Sequence, residues 1–339
     1  MIIAIDDGYG EIKATNGERV HVFPSRAISG RVVRSKFGSD GGFSLDGAPI
    51  LESEGAIFTL QDGANAEDTR FDDWPNSALN RVLCRYAAAE MGMTEEARLV
   101  TGLPMSVYFD EEGCMNQKAI RARVASLRKP VVQHMPDGMT RQLVLPKIIK
   151  VVPQGLAAIF DHILLNNAAE GLEVIGVVDI GSRTTDVAYY ILSNSEESMI
   201  EMNRSGGFRR GVSDMVDAMA TELQKTLRLA ARPPLPAASQ ALRTGKFKMA
   251  GKIHNVESQR LHVLRNILPS ILEEAENILS AGTGLSGLMD LDRILLVGGG
   301  AYLALSIGIS LWEQGVIPDA PEFANVRGMF KLGRVISGG

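Results

Sequence analysis

The chain has 339 residues, 45% of them hydrophobic, and its 35 Lys and Arg against 40 Asp and Glu leave a formal net charge of -5. That size and apolar content suit two globular domains with separate cores, while the acidic balance argues against direct nucleic-acid binding, which depends on surplus Lys and Arg. Cys84 and Cys114 show neither metal-ligand spacing nor a disulfide framework, and the absence of a signal-peptide pattern or a membrane-length apolar run leads us to expect a cytoplasmic protein with no membrane partner.

Ile2 to Ile5 run into Asp6-Asp7-Gly8-Tyr9-Gly10 and the chain resumes as Glu11-Ile12-Lys13-Ala14, an apolar strand, a Gly-containing turn and a second strand. Glu18 to Phe23 alternates as another strand and stops at Pro24. Residues from about 28 to 75 form a small strand-bearing excursion rich in Gly, Asp and Ser. The spacing of Leu79, Val82, Leu83, Tyr86 and Ala87 predicts a helix over 76–91. Strands are predicted at 98–103, 131–134, 141–145 and 148–152, with 110–128 mostly helical. Gln154 opens a helix that Leu156, Ile159, Phe160 and Ile163 carry to about Asn166; it points at a ligand or faces water.

Residues 174 to 190 repeat the N-terminal device. An apolar run ends in Asp179, a tight Gly181-Ser182-Arg183-Thr184-Thr185 turn follows, and a second apolar run begins after Asp186. Such a tip gathers backbone N–H groups, hydroxyls and a guanidinium between two carboxylates, which suits a phosphate with hydrated Mg²⁺ or simply solvates a surface turn. The duplication favours the phosphate: two facing hairpins would grip a polyphosphate, each bringing one carboxylate towards a shared metal.

Met199 to Arg204 reads as a third strand and residues 206–211 as a turn before a helix over 213–229. Ser213 suits the N-cap, with Asp214 and Asp217 favoured by the helix dipole; the same helix start suits a ribose hydroxyl. After the break at Arg232 to Pro236 we expect a short helix over 238–243, a solvated basic turn over 244–252 and a long amphipathic helix over 256–280. The buried-type strand Ile294 to Val297 enters Gly298-Gly299-Gly300 and a helix over 301–312, a turn that lets backbone pass flat against a bound group. A terminal helix within 319–331 is expected to pack back on the first domain.

With Asp6-Asp7-Gly8, Pro153-Gln154-Gly155, Asp179 to Asp186 and Gly298-Gly299-Gly300 in this order, nearly the whole chain resembles the actin-like ATPases, above all the ParM/StbA plasmid-segregation proteins and the archaeal actin-like proteins. The resemblance implies an α/β, actin/Hsp70-like (ribonuclease H-like) fold of two domains with a nucleotide cleft between them. Residues 1–160, completed by 315–339, would form one domain and 161–314 the other. ATP, with GTP as the alternative, and Mg²⁺ are the implied cofactors. Asp6 and Asp179 would hold the waters around Mg²⁺, and Lys13 would contact the β- and γ-phosphates. Backbone groups of Gly8, Gly10, Gly181 and Ser182 would wrap the phosphates, with Asp7, Tyr9, Arg183 and Thr184 in the same turns. Gly298, Gly299 and Gly300 would lie beside the adenosine, and Ser213 and Asp214 near the ribose. Gln154 stands where the plasmid proteins carry a Glu beside the hydrolytic water; a Gln orients water but accepts protons poorly, which implies slow hydrolysis. Arg183 departs from the Gly or Thr of those proteins.

The function so implied is a cytomotive ATPase that polymerises head to tail and hydrolyses ATP to destabilise its filament. Such heterologous contacts need not close into a ring. Its partners would be further copies of itself and, for plasmid segregation, a DNA-binding adaptor protein. The loops over about 30–75 and 232–252 are candidate filament contacts. The alternatives are a small-molecule kinase, which needs a further carboxylate such as Asp62 or Asp72, and a nucleotide-dependent chaperone or reactivating factor.

Overall fold

In the first of two units, strand Ile2–Asp7 pairs antiparallel with Glu11–Thr15 and parallel with Arg98–Leu103. The five-stranded sheet runs Ile148–Pro153, Arg98–Leu103, Ile2–Asp7, Glu11–Thr15, Val20–Pro24. One face takes the helix Ala78–Glu90, because alternation sends Ile3, Ile5 and Ile12 to the same side, against Leu79, Val82 and Leu83. The excursion over 28–75 supplies strands Ile28–Ser29, Ile50–Ser53 and Ala56–Thr59, which join Val132–His134 and Thr140–Gln142 in a second five-stranded sheet. This computed structural model describes residues 1–37, 43–45, 47–61, 63, 65–164, 171–192, 198–282, 287–309 and 311–336.

The second unit repeats the central arrangement. Strand Val174–Ile180 pairs antiparallel with Thr185–Ile191 and parallel with Arg293–Val297. One face of this sheet takes Val178, Ile180, Val187 and Tyr189 into a core built on the helices Val212–Thr226, Leu235–Thr244 and Glu257–Leu279. The other face sends Ile175, Val177, Ala188 and Tyr190 against the helix Leu156–Ile163 and Ala324.

The units comprise residues 1–103, 117–151 and the chain from Gly333, and residues 104–116 and 152–332. This differs from the division expected at 160, and from a terminal helix belonging wholly to the first domain. Residues 104–116 join the second unit because Met105 N–H donates to Asp186 Oδ1 at 2.7 Å and Gly113 presses on Met202. Helix Leu156–Ile163 belongs there through the packing of Ala158 and Ile159 on Ile175 and Val177. The terminal helix spans Ala324–Ile336, and its residues up to Leu332 fall in the second unit.

Four other segments differ from expectation. Residues 110–116 form a turn between short helix Met105–Tyr108 and helix Gln117–Leu127. The strand expected over 199–204 shortens to Met199–Ile200, followed by a 3-10 turn at Met202–Arg204. The basic turn is a hairpin of Lys246–Met249 with Lys252–Asn255: Phe247 is buried in the core while the lysines alternate outward, and Ala250 and Gly251 take the positive φ values of a two-residue turn. The helix after Gly298 ends at Ser306, where Gly308 at φ 59° stops it. Asn166 lies outside the described residues.

Candidate functional site

Adjacent residues of a strand face opposite sides of its sheet, so Asp6 and Asp7 have different surroundings. Asp6 lies opposite Lys13 across the hairpin, on the face away from helix Ala78–Glu90, and Lys13 Nζ stands 3.9 Å from Glu11 Oε2. Asp7 lies on the helix side, opposite Ile12. Its Oδ2 accepts from Asn80 Nδ2 at 2.7 Å and pairs with Arg123 Nη2 at 3.0 Å, and its Oδ1 accepts from Thr101 Oγ1 at 3.0 Å. Arg123 is fully buried and also donates to Asn80 Oδ1 at 2.6 Å. The Asp7 carboxylate is thus committed to an internal network, against its expected place beside the phosphates. Cys84 lies in that network with its thiol pushed up to about 12 by burial, helped by the Asp7 charge.

At the tip, four successive carbonyls are tied back into the unit. Asp7 O accepts from Trp74 Nε1 at 2.9 Å, Gly8 O from Ser25 Oγ at 2.5 Å, Tyr9 O from Thr69 Oγ1 at 2.6 Å, and Gly10 O from Ser25 N at 3.0 Å. An anion is repelled by carbonyl oxygens and attracted by N–H groups, so a loop whose carbonyls are engaged behind it is suited to phosphate. Trp74, Ser25 and Thr69 carried no such signal in the sequence.

In the second unit, Asp179 and Asp186 lie directly opposite one another across the central hairpin, an arrangement of like charges that is unfavourable unless each is offset. Asp186 receives the Met105 N–H, and Asp179 Oδ2 accepts from Asn325 Nδ2 at 2.6 Å. Both carboxylates are nearly buried, Asp179 at 6% and Asp186 at 3% exposure. The turn between them closes through Gly181 N–H to Thr184 O at 2.9 Å, leaving Ser182, Arg183 and Thr184 half-buried. Gly8 and Gly181 play the same part in their two turns: a Cβ there would stand 3.2 Å from Glu11 O and 3.0 Å from Thr184 O respectively.

Asn325 Oδ1 also accepts from Gly155 N–H at 3.0 Å. It therefore links the Gln154-Gly155 turn to Asp179, and half-buried Gln154 sits one residue before the helix N-cap Gly155, which has φ 77°.

The Gly298-Gly299-Gly300 turn packs on the same hairpin. At Gly298, φ 80°, a Cβ would fall 2.3 Å from Asp179 Oδ1, and at Gly300 2.3 Å from Ile180 Cγ2; Gly299 faces open space. Two of the three glycines are thus required by close packing on Asp179 and Ile180. Ser213 is not the N-cap of its helix. Gly211 is, since a Cβ there would meet Gly181 O at 2.6 Å, and Asp214 Oδ2 accepts from the Gly211 N–H at 2.8 Å. The Asp214 carboxylate caps the helix, and Ser213 N donates to Ser182 O at 2.7 Å.

Asp72 is exposed and Asp62 lies outside the described residues. Among the described residues no three His, Cys, Asp or Glu stand together as metal ligands, and no helix is long and apolar enough to cross a membrane.

Residues 4–156 match the family model of the N-terminal domain of actin-like proteins, and residues 177–306 that of the C-terminal part of the archaeal actin homologue, MreB-like. The chain belongs to the actin-like proteins. Its fold is similar to that of a 15-stranded ParM filament from Clostridium botulinum, at 21% identity over 98% of this chain and 99% of that one, with a TM-score of 0.79. The archaeal actin homologue Ta0583 is similar at 21% identity, over 98% and 99%, with a TM-score of 0.76. A complex of Ta0583 with ADP gives the same identity, coverage and score. No curated protein sequence matches the chain. The fold of this actin-like protein is therefore the actin-like α/β fold expected from its motifs.

Proposed function

We propose that this actin homologue binds and hydrolyses ATP, with GTP as the competing nucleotide, and polymerises head to tail into filaments that hydrolysis destabilises. The observation that carries the reading is the first hairpin tip, where the carbonyls of Asp7, Gly8, Tyr9 and Gly10 are all engaged from behind. Such a brace stabilises any turn, and for a phosphate it has the further effect that the carbonyl oxygens are occupied and oppose the anion less. Lys13, opposite Asp6, supplies a cation one strand away, and the second hairpin offers Gly181, Ser182, Arg183 and Thr184. Self-association is supported by the likeness to a ParM filament, and nucleotide binding by the ADP complex of an archaeal homologue.

A hydrated Mg²⁺ requires only one or two carboxylates beside the nucleotide phosphates, a number that Asp6 of the first unit and Asp179 of the second would supply if both reach the nucleotide. Bound there, Mg²⁺ would neutralise charge on the phosphates. Gln154 would orient the attacking water and, as a poor proton acceptor, keep hydrolysis slow. Gly298, Gly299 and Gly300 with Ser213 would lie near the nucleoside. A role in plasmid DNA segregation through a DNA-binding adaptor extends this reading by family analogy.

The test is light scattering with electron microscopy of the purified protein in Mg-ATP, Mg-ADP and no nucleotide, with Asp179→Ala as control. Nucleotide-dependent filaments that are lost or abnormally stable in the variant support the proposal. Hydrolysis without assembly over a wide concentration range moves the assignment to a kinase or chaperone, and absence of nucleotide binding removes it.

A further inference from the structure

Asn325 occupies the first turn of the helix Ala324–Ile336 and is 7% exposed. Its side chain makes two bonds of opposite sense, accepting from Gly155 N–H through Oδ1 at 3.0 Å and donating to Asp179 Oδ2 through Nδ2 at 2.6 Å. The orientation of the amide is fixed by its partners, since a backbone N–H can only donate and a carboxylate at neutral pH only accepts. A buried amide with both ends so engaged holds two segments in register that are otherwise far apart in sequence.

Those segments carry the two groups that the proposed hydrolysis depends on. Gln154 precedes Gly155 directly, and Gly155 is fixed at φ 77° as the N-cap of its helix. Asp179 is the penultimate residue of the first strand of the central hairpin, with its other oxygen Oδ1 against Gly298. Asp186 stands opposite Asp179 and cannot supply the donor, because it is itself a carboxylate.

We infer that Asn325 is the positioning residue that couples Gln154, which orients the attacking water, to Asp179, which holds the hydrated metal. This rests on the proposed nucleotide hydrolysis. Asn325 touches neither nucleotide nor water in this role and acts through the two residues it joins. An Asp at this position would keep the acceptor for Gly155 and lose the donor to Asp179. Asn325→Ala loses both bonds, so the two variants share the loss of the bond to Asp179 and differ in whether Gly155 keeps its acceptor.

The experiment uses the full chain and its Asn325→Asp and Asn325→Ala variants. Three readouts are taken: affinity for a non-hydrolysable ATP analogue without metal, the Mg²⁺ concentration that half-saturates tight analogue binding, and the rate of single-turnover hydrolysis. For both variants we expect metal-free affinity close to wild type, a raised Mg²⁺ midpoint, and hydrolysis reduced about 10- to 100-fold, the usual effect of removing an outer partner of a metal ligand. Loss of folding in one variant leaves the other to decide, with the Mg²⁺ midpoint as its measure. A wild type that hydrolyses ATP beside variants with its midpoint and rate overturns the inference alone. A wild type that binds no nucleotide overturns the underlying reading and the inference with it.

Discussion

Gly328 packs against Ala157 so closely that a Cβ on the glycine would stand 1.7 Å from the Ala157 carbonyl oxygen. The helices Ala324–Ile336 and Leu156–Ile163 thus meet backbone to backbone, and this contact sets the depth at which Asn325 reaches Gly155. Arg327 and Lys331 on the same helix grip Asp161, with Arg327 Nη2 2.6 Å and Lys331 Nζ 2.8 Å from its carboxylate. Gly328→Ala is expected to force the helices apart and lower stability by about 1–3 kcal/mol, the usual range for overpacking. Urea unfolding checks this; an unchanged midpoint would mean that the helices yield without cost.

The Asp7 network makes a stability prediction of a different kind. Removing one member of a buried ion pair leaves the other charge uncompensated, so Arg123→Met alone and Asp7→Leu alone should each cost about 3–5 kcal/mol. The double variant should recover a large part of that loss, because neither charge then remains buried. A double-mutant cycle by chemical denaturation measures the coupling, and additive losses would count against the pairing.

Thr69→Val and Ser25→Ala each release one carbonyl of the first hairpin tip. With a net hydrogen bond worth about 0.5–1.5 kcal/mol, each should weaken ATP binding by roughly 2- to 10-fold. Adenosine, which has no phosphate, should bind the variants and the wild type alike. Equal loss for ATP and adenosine would point to general unfolding of the tip instead.

The two hairpins were legible because each places an apolar run, an Asp and a turn glycine in unbroken sequence, where periodicity and turn chemistry are strongest. Their supports were not. Asn80, Arg123 and Asn325 lie on helices remote in the chain from the carboxylates they serve, and a polar residue there reads as solvent-facing until its burial is known. Helix Ala78–Glu90 compounds this, since Asn80, Arg81 and Arg85 are buried alongside its apolar stripe. The hairpin over 246–255 did carry a signal, the alternation of Lys246, Phe247, Lys248 and Met249 before Ala250-Gly251, which its high charge obscured. Asp214 and Gly298 show the other limit: helix capping and close packing can account for residues that a motif assigns to a ligand.

His162 makes stability depend on pH. Arg293 Nη1 lies 2.9 Å from His162 Nε2, and since a guanidinium only donates, that nitrogen is the acceptor of a neutral ring. Burial first, and the Arg293 charge second, hold its pKa below the ordinary 6.5, with Asp161 opposing. The unfolded chain therefore takes up a proton more readily, so this contribution is complete above about pH 6.5 and is lost as pH falls through the lower folded value. His162→Gln should flatten the acid side of the melting-temperature profile, and an unaltered slope would place the acid sensitivity elsewhere.

The burial of Cys84 also gives the protein a single address for thiol chemistry. Its sulfur is enclosed beside Asn80 and Arg123, and a thiol held near 12 forms almost no thiolate at neutral pH. Cys114 is exposed, so a maleimide dye should attach there alone without any cysteine being removed. Molecules marked in this way could be followed one at a time by fluorescence microscopy.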